Sequence, residues 1–271
     1  MSAVESVDQD INPNADPLAN RTGFNTLLKK EIRRFWAVLG QTVAAPVVTA
    51  VLYLLVFAQA LEGRASAYEG VSYTEFLVPG LIMMAVIQNA FANTSSSLLQ
   101  SKIMGNLVFL QMSPLSPLEW FGAYILAALF RVILVTLAMF AVIWFFVPLT
   151  IHAPLALLAT FFLTASSLAA MGIVAGIVAE KFDHMATFTN FFIMPLSFLS
   201  GVFYSVHSLP PLWQSASYLN PFFYMIDGFR YGFFGHADVS IGYSLLWCAG
   251  FFVLASSLAL WMLMTGYKLK R

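Results

Sequence analysis

The sequence predicts an all-α integral membrane protein: six transmembrane helices, an N-terminal amphipathic interfacial helix, and a re-entrant half-helix pair before the last span. Three observations carry this. Of 271 residues, 60% are hydrophobic and only 10% charged, with a mean hydropathy of +0.80, whereas a soluble domain carries about 25% charged residues. Six apolar windows are long enough to cross a hydrocarbon core about 30 Å thick, which takes roughly 20 residues of helix. Finally, Lys and Arg are distributed unevenly between the connections.

The chain opens with MSAVESVDQDINPNADPLANR, an acidic, polar stretch rich in Asn, Asp and Pro. It lacks the basic start and apolar core of a cleaved signal peptide. Residues 1–20 are expected to be a disordered cytoplasmic tail, with the transmembrane domain occupying 21–271. In TGFNTLLKKEIRRFW, Phe24, Leu27, Leu28, Ile32 and Phe35 fall at helical spacing, with Lys30, Arg33 and Arg34 elsewhere around the helix. That pattern predicts an interfacial helix. Glu31 falls within the apolar stripe and spoils it, which leaves a plain positively charged flank to helix 1 as the alternative.

The six spans are expected at 38–60, 77–99, 120–146, 155–179, 186–204 and 241–265. Basic residues near helix ends are retained in the cytoplasm. Arg21, Lys29, Lys30, Arg33, Arg34, Lys102, Lys181, Lys268, Lys270 and Arg271 all fall on one side, Arg64 and Arg230 on the other, and Arg131 within helix 3. Both termini are therefore expected in the cytoplasm.

Two connections are too apolar for ordinary loops. In SKIMGNLVFLQMSPLSPLEW, between helices 2 and 3, Ile103, Leu107 and Leu110 recur at helical spacing up to about Met112, and Pro114 and Pro117 stop the run. The residues fit a membrane-surface helix and a protein-docking helix equally well. The stretch 205–240 holds two apolar pieces too short to span, separated by Asn220-Pro221 and bounded by Pro210-Pro211 and Gly235. Backbone within a bilayer must be hydrogen-bonded inside protein, so the pieces are read as re-entrant half-helices lining a cavity or gate. The alternative is an interfacial cap held by Trp213, Tyr218, Tyr224 and Tyr231.

Residue chemistry argues against a membrane enzyme. His152, His184, His207 and His236 form no metal-binding pattern, and Cys248 is the single cysteine. Asp183-His184, beside Glu180 and Lys181, reads as a solvated charge cluster. Ser166-Ser167 and Ser256-Ser257 have no base nearby and read as packing residues. No Lys is preceded by Gly, so a P-loop is excluded and ATP-derived energy would have to come from another polypeptide. Zero formal net charge gives no reason to expect nucleic acid as a partner.

Arg131 is the strongly ionised residue deep in a span, where it costs roughly 2.5 to 3.5 kcal/mol. It should face protein or water, as a contact to an anionic substrate or an interhelical salt bridge, unless a shifted helix boundary lets it snorkel. Asp227 and Arg230, three residues apart, could pair or belong to a gate. Gly172 and Gly176, with Ala175 and Ala179, form a small-residue stripe that lets another helix approach, within the subunit or between subunits.

The stretch GVFYSVHSLPPLWQSASYLNPFFYMIDGFRYGFFG, from Gly201 to Gly235, resembles the signature of the ABC-2 type permeases, with Asn220-Pro221 and Arg230 where that pattern has an Asn-Pro and a basic residue. Lys102, Gly105 and Asn106, running on to Leu115-Ser116-Pro117, resemble the family's cytoplasmic coupling segment. The resemblance implies six helices per subunit, an amphipathic N-terminal helix, and a bacterial inner membrane. It implies two permease subunits, expected to be a homodimer, and two separate ATPase subunits that carry ATP and Mg. It makes Lys102, Ile103, Gly105, Asn106, Leu107 and Phe109 the ATPase-coupling segment, and Arg131, Asn220, Pro221, Asp227 and Arg230 the transport path or gate. The expected function is export of a drug-like, lipid or glycan substrate by alternating access. An ion-coupled carrier or channel is the alternative, weakened by the lack of an obvious internal repeat and of carboxylates within spans.

Overall fold

The computed structural model describes residues 17–61, 71–147 and 149–269. Of the expected disordered tail, 1–16 lies outside these residues, as do Arg64, Lys270 and Arg271 from the charge count. The described chain is helical, and five helices are long and apolar enough to cross a membrane. These are α2 (Leu39–Leu61), α3 (Tyr73–Ile103), α5 (Pro117–Ile143), α6 (Pro154–Val178) and α11 (Ile241–Thr265), preceded by α1 (Pro17–Ala37). Between them lie the short helices α4 (Leu107–Met112), α7 (Phe182–Phe188), α8 (Met194–Phe198), α9 (Pro211–Leu219) and α10 (Pro221–Phe234).

Local chemistry sets the boundaries. At the starts of α3 and α5 the same device recurs: Ser72 Oγ accepts from Glu75 N at 3.2 Å while Glu75 Oε2 accepts from Ser72 N at 2.8 Å. Ser116 and Glu119 repeat it, with Pro117 in the first helical turn. These polar caps add four residues to the front of the expected span 77–99 and three to that of 120–146. Hydropathy alone does not register them. Gly266 ends α11 in the left-handed conformation, φ 65°.

The expected span 186–204 takes a different form. It is a contiguous helical run from Phe182 to Phe198 in which residues Thr189–Ile193 adopt a π turn, Met194 N donating to Thr189 O five residues back. Pro195 lacks an N–H, and the widened turn lies immediately before it. The run is 17 residues, about 25 Å at 1.5 Å per residue. It stops at Leu199, and a tight turn with Gly201 at φ 77° follows. The residues 199–204 therefore leave the helix, although their composition is apolar.

α3 is the axis of the fold. Its 31 residues run about 46 Å, and they pack on α6, α5, α10 and α2. Of its most apolar window 83% is buried, against 11% for α2, which lies at the periphery. Large apolar side chains such as Leu52, Val56, Leu137, Leu158, Phe191, Leu246 and Leu254 stay exposed. In a membrane, that is the surface offered to lipid.

The stripe expected on α1 faces protein. Leu27 and Phe35 are buried, Phe24 and Leu28 pack on the core, and α1 lies against α5. Glu31, the residue that spoiled the stripe, is 1% exposed.

Candidate functional site

Asn89, Asn93, Ser97 and Ser101 recur every four residues along α3 and so share one face. That face meets charged groups of α5 and α1 in register. Asn89 Oδ1 accepts from Arg131 Nη2 at 2.9 Å and from Nε at 3.3 Å. Arg34 Nη2 donates to Asn93 O at 2.8 Å and to Asn93 Oδ1 at 3.1 Å. Ser97 Oγ donates to Glu31 Oε2 at 2.6 Å, and Ser101 Oγ accepts from Lys30 Nζ at 3.5 Å. Glu31 joins the rungs through Arg34 Nε at 3.2 Å and Lys30 Nζ at 3.3 Å. Tyr124 of α5 is buried, and its hydroxyl makes no hydrogen bond among the described residues.

At Arg131 the ladder makes an interhelical contact without a counter-charge. The guanidinium faces protein, held by a neutral amide and 5.9 Å from the Phe35 ring centroid. Among the described residues no carboxylate lies within salt-bridge reach of it. Sequence reading missed the ladder, although the four-residue spacing of Asn and Ser in an otherwise apolar helix was its visible signal.

The six residues of the expected coupling segment take different places around the turn after α3. Lys102 Nζ donates to Ile177 O at 2.9 Å and Ala179 O at 3.1 Å, the last carbonyls of α6. Gly105, at φ 72°, and Asn106 make the turn into α4. Leu107 is buried, 4% exposed, and anchors α4 on the core. Ile103 and Phe109 point outward, with Met104, Val108 and Met112, Phe109 being 72% exposed. This apolar surface sits beside a connection, at the end of the protein where Lys29, Lys30 and Lys181 also lie.

At the opposite end, α9 is exposed at Leu212, Trp213 and Leu219, whereas α10 is buried along almost its whole length, from Phe222 to Arg230. Asn220 caps α10, its Oδ1 accepting from Phe222 N at 3.0 Å while Nδ2 donates to Leu196 O at 2.6 Å. Pro221 occupies the first helical turn, where a missing N–H costs nothing. Asp227 and Arg230 do not pair. Asp227 accepts from Asp238 N at 2.8 Å and Val239 N at 3.1 Å. Arg230 Nη2 donates to Gly201 O at 2.7 Å, and its guanidinium carbon lies 3.9 Å from the centroid of the Phe76 ring. Asp238 in turn accepts from Ser205 Oγ at 2.9 Å and Val206 N at 3.0 Å. Two carboxylates thus stitch α10, residues 236–240 and the turn after α8 together. Asn220→Ala removes both a cap and a tie to α8, and is expected to lower stability by about 1–2 kcal/mol. Thermal unfolding in detergent reads this, with Asn220→Asp falling between Ala and wild type because it keeps only the cap.

The expected gate residues are therefore not one cluster. Arg230 meets α3 at Phe76 and Arg131 meets it at Asn89, thirteen residues or about 20 Å apart along the helix.

Gly172 and Gly176 serve packing within the chain: a Cβ on Gly172 would stand 2.5 Å from Phe91 O, and one on Gly176 2.9 Å from Ser95 O, both on α3. Thr94 Oγ1 donates across the same contact to Ala169 O at 2.7 Å. A second pair, Gly228 and Gly232 on α10, approaches Thr160 and Leu157 of α6 equally closely. This GxxxG spacing also went unread, because it sits among the aromatic residues of a segment too short to span.

The arrangement is that of a multi-pass helical membrane protein whose buried polar side chains join helices and fasten two connecting regions at opposite ends. The family model described as ABC-2 type transporter matches residues 22–234. The inner membrane transport permease YadH of Escherichia coli K12 is 38% identical over 233 residues, covering 84% of this chain and 91% of that protein. The YadH of Shigella flexneri matches to the same extent. The capsule polysaccharide export inner-membrane protein BexB of Haemophilus influenzae is 33% identical over 146 residues, 54% of this chain and 50% of that protein. The chain belongs to the ABC-2 type transporter family, and is a transport permease.

Proposed function

We propose that this permease is the membrane half of an ATP-driven exporter, energised by a separate ATPase that docks on α4. The observation that carries the reading is the apolar surface of Ile103, Met104, Val108, Phe109 and Met112, exposed along the end of α3 and the short helix α4, which Leu107 anchors from beneath. The sequence holds no P-loop of its own. Two copies of the ATPase, with ATP and Mg on them, would pair with two copies of this chain in a bacterial inner membrane, both termini cytoplasmic. The helical run 182–198 serves as the fifth span and α9 with α10 as the external re-entrant pair; the burial of α10 supports this. The cargo is drug-like, lipid or glycan in class.

The test is purification of the tagged protein from mild detergent, with identification of what copurifies and an ATPase assay on the complex. Recovery of a Walker-type ATPase near one to one supports the reading. An active protein that purifies alone and moves its cargo on an ion gradient overturns it. Phe109→Asp is expected to abolish recovery of the ATPase while the permease still inserts and unfolds at the wild-type temperature. Leu107→Asp serves as the contrast. It places a charge in the core and is expected to lower the unfolding temperature instead.

A further inference from the structure

We infer that Lys102 is a positioning residue that joins the docking turn to α6, and that α6 is the rod carrying movement of α4 to the external half-helix. The inference rests on the exporter reading above and adds to it the route by which the force travels.

The last carbonyls of a helix have no partner within it, and that end is the negative pole of its dipole. α6 ends at Val178, and Lys102 brings an ammonium to Ile177 O and Ala179 O at 2.9 and 3.1 Å. Lys102 lies in the last turn of α3, five residues before the start of α4. Its bonds therefore make the docking turn and the cytoplasmic end of α6 one unit. From there α6 runs 25 residues, about 37 Å, to the far side. There, Gly228 and Gly232 let α10 lie directly on Thr160 and Leu157. His152 N and Ala153 N, just ahead of α6, donate to Gly232 O at 3.0 and 2.9 Å, and His152 Nδ1 lies 2.9 Å from Phe233 O. α6 is thus held at both ends: on α3, beside the docking turn, by the close contacts at Gly172 and Gly176 and by the Lys102 side chain, and on α10 by backbone contact. The glycine contacts fix how α6 lies on α3, and the Lys102 ammonium is the bond that ties the α6 terminus to the docking turn itself.

The experiment uses the permease–ATPase complex in proteoliposomes, with His236→Cys as reporter. His236 is exposed just beyond α10, whereas the native thiol, Cys248, is buried. Labelling by a membrane-impermeant maleimide is compared without nucleotide and after trapping with ATP and vanadate. With Lys102 intact, trapping should change the labelling rate by roughly fivefold or more. In Lys102→Met the ratio should fall to about one while the ATPase still copurifies at the same stoichiometry, and Lys102→Arg, which keeps a cationic donor, should restore it. If Lys102→Met does not accumulate in the membrane, Lys102→Gln is read the same way. A nucleotide-dependent change that survives in Lys102→Met with the ATPase bound overturns the inference alone. Failure of the unaltered permease to recover any ATPase overturns the exporter reading, and the inference with it.

Discussion

Glu31→Ala is expected to destabilise the protein by about 3 kcal/mol, the low end of what breaking a buried ion pair costs. The carboxylate is fully enclosed and satisfies Arg34, Lys30 and Ser97 together, so its removal leaves two cations at the α1–α3 contact without a counter-charge, Arg34 keeping its bonds to Asn93 and Lys30 that to Ser101, and a hydroxyl without its acceptor. Arg34 and Lys30 retain 23% and 46% side-chain exposure, which lets water relieve part of the cost and keeps the figure at that low end. Thermal unfolding in detergent should shift down by several degrees, and α1 should become accessible to protease. Glu31→Gln, which keeps an acceptor for Ser97 but loses the charge, should fall between. An unchanged unfolding temperature in Glu31→Ala would mean that α1 is held by its apolar contacts alone and that the ladder contributes nothing measurable.

Gly172→Val should have a comparable or larger effect, by a different mechanism. Even the Cβ meets the Phe91 carbonyl and the Thr94 hydroxyl, and the first of these is backbone of the most buried helix. No rotamer change relieves that contact, so α3 and α6 must separate and the Thr94–Ala169 bond must stretch. Overpacking usually costs about 1–3 kcal/mol; here it falls on the most extensive helix contact among the described residues, and loss of the chain from the membrane fraction is expected. Gly40→Ala and Gly250→Ala provide the control. Nothing lies within 4 Å of a Cβ at either position, so both should accumulate normally. If Gly172→Val accumulates and unfolds like those controls, the close approach of α3 and α6 is not what holds the bundle together.

The failures of sequence reading in the candidate site share a cause. Glu31 was legible only as a flaw in an apolar stripe, since the stripe was measured against lipid while its true partner was a row of amides and hydroxyls. Asp227 and Arg230 invited pairing by their spacing on one helix, yet each found a backbone partner on another segment. Lys102 and Leu107 were grouped with Phe109 through the family resemblance, and the resemblance carries no side-chain direction: Lys102 bonds α6 and Leu107 is buried, whereas Phe109 is exposed. In each case, a polar or large side chain has several acceptable partners, and spacing along one helix ranks only the local ones.

What the sequence determined by itself was the solvent. Long apolar runs cannot be hydrated, backbone groups in lipid must be bonded within a helix, and the four longest spans follow from those two facts to within a few residues at most of their ends. The Asn220-Pro221 break before α10 follows from proline chemistry in the same way. Only the tertiary structure decided which faces meet. The α3 ladder, the burial of Glu31, the two glycine contacts of α6 and the hold of Lys102 on that helix depend on relative rotation and depth of helices far apart in the chain. In a membrane that choice is made by close packing and interhelical hydrogen bonds, because lipid is as apolar as the helices and does not dictate which faces turn inward.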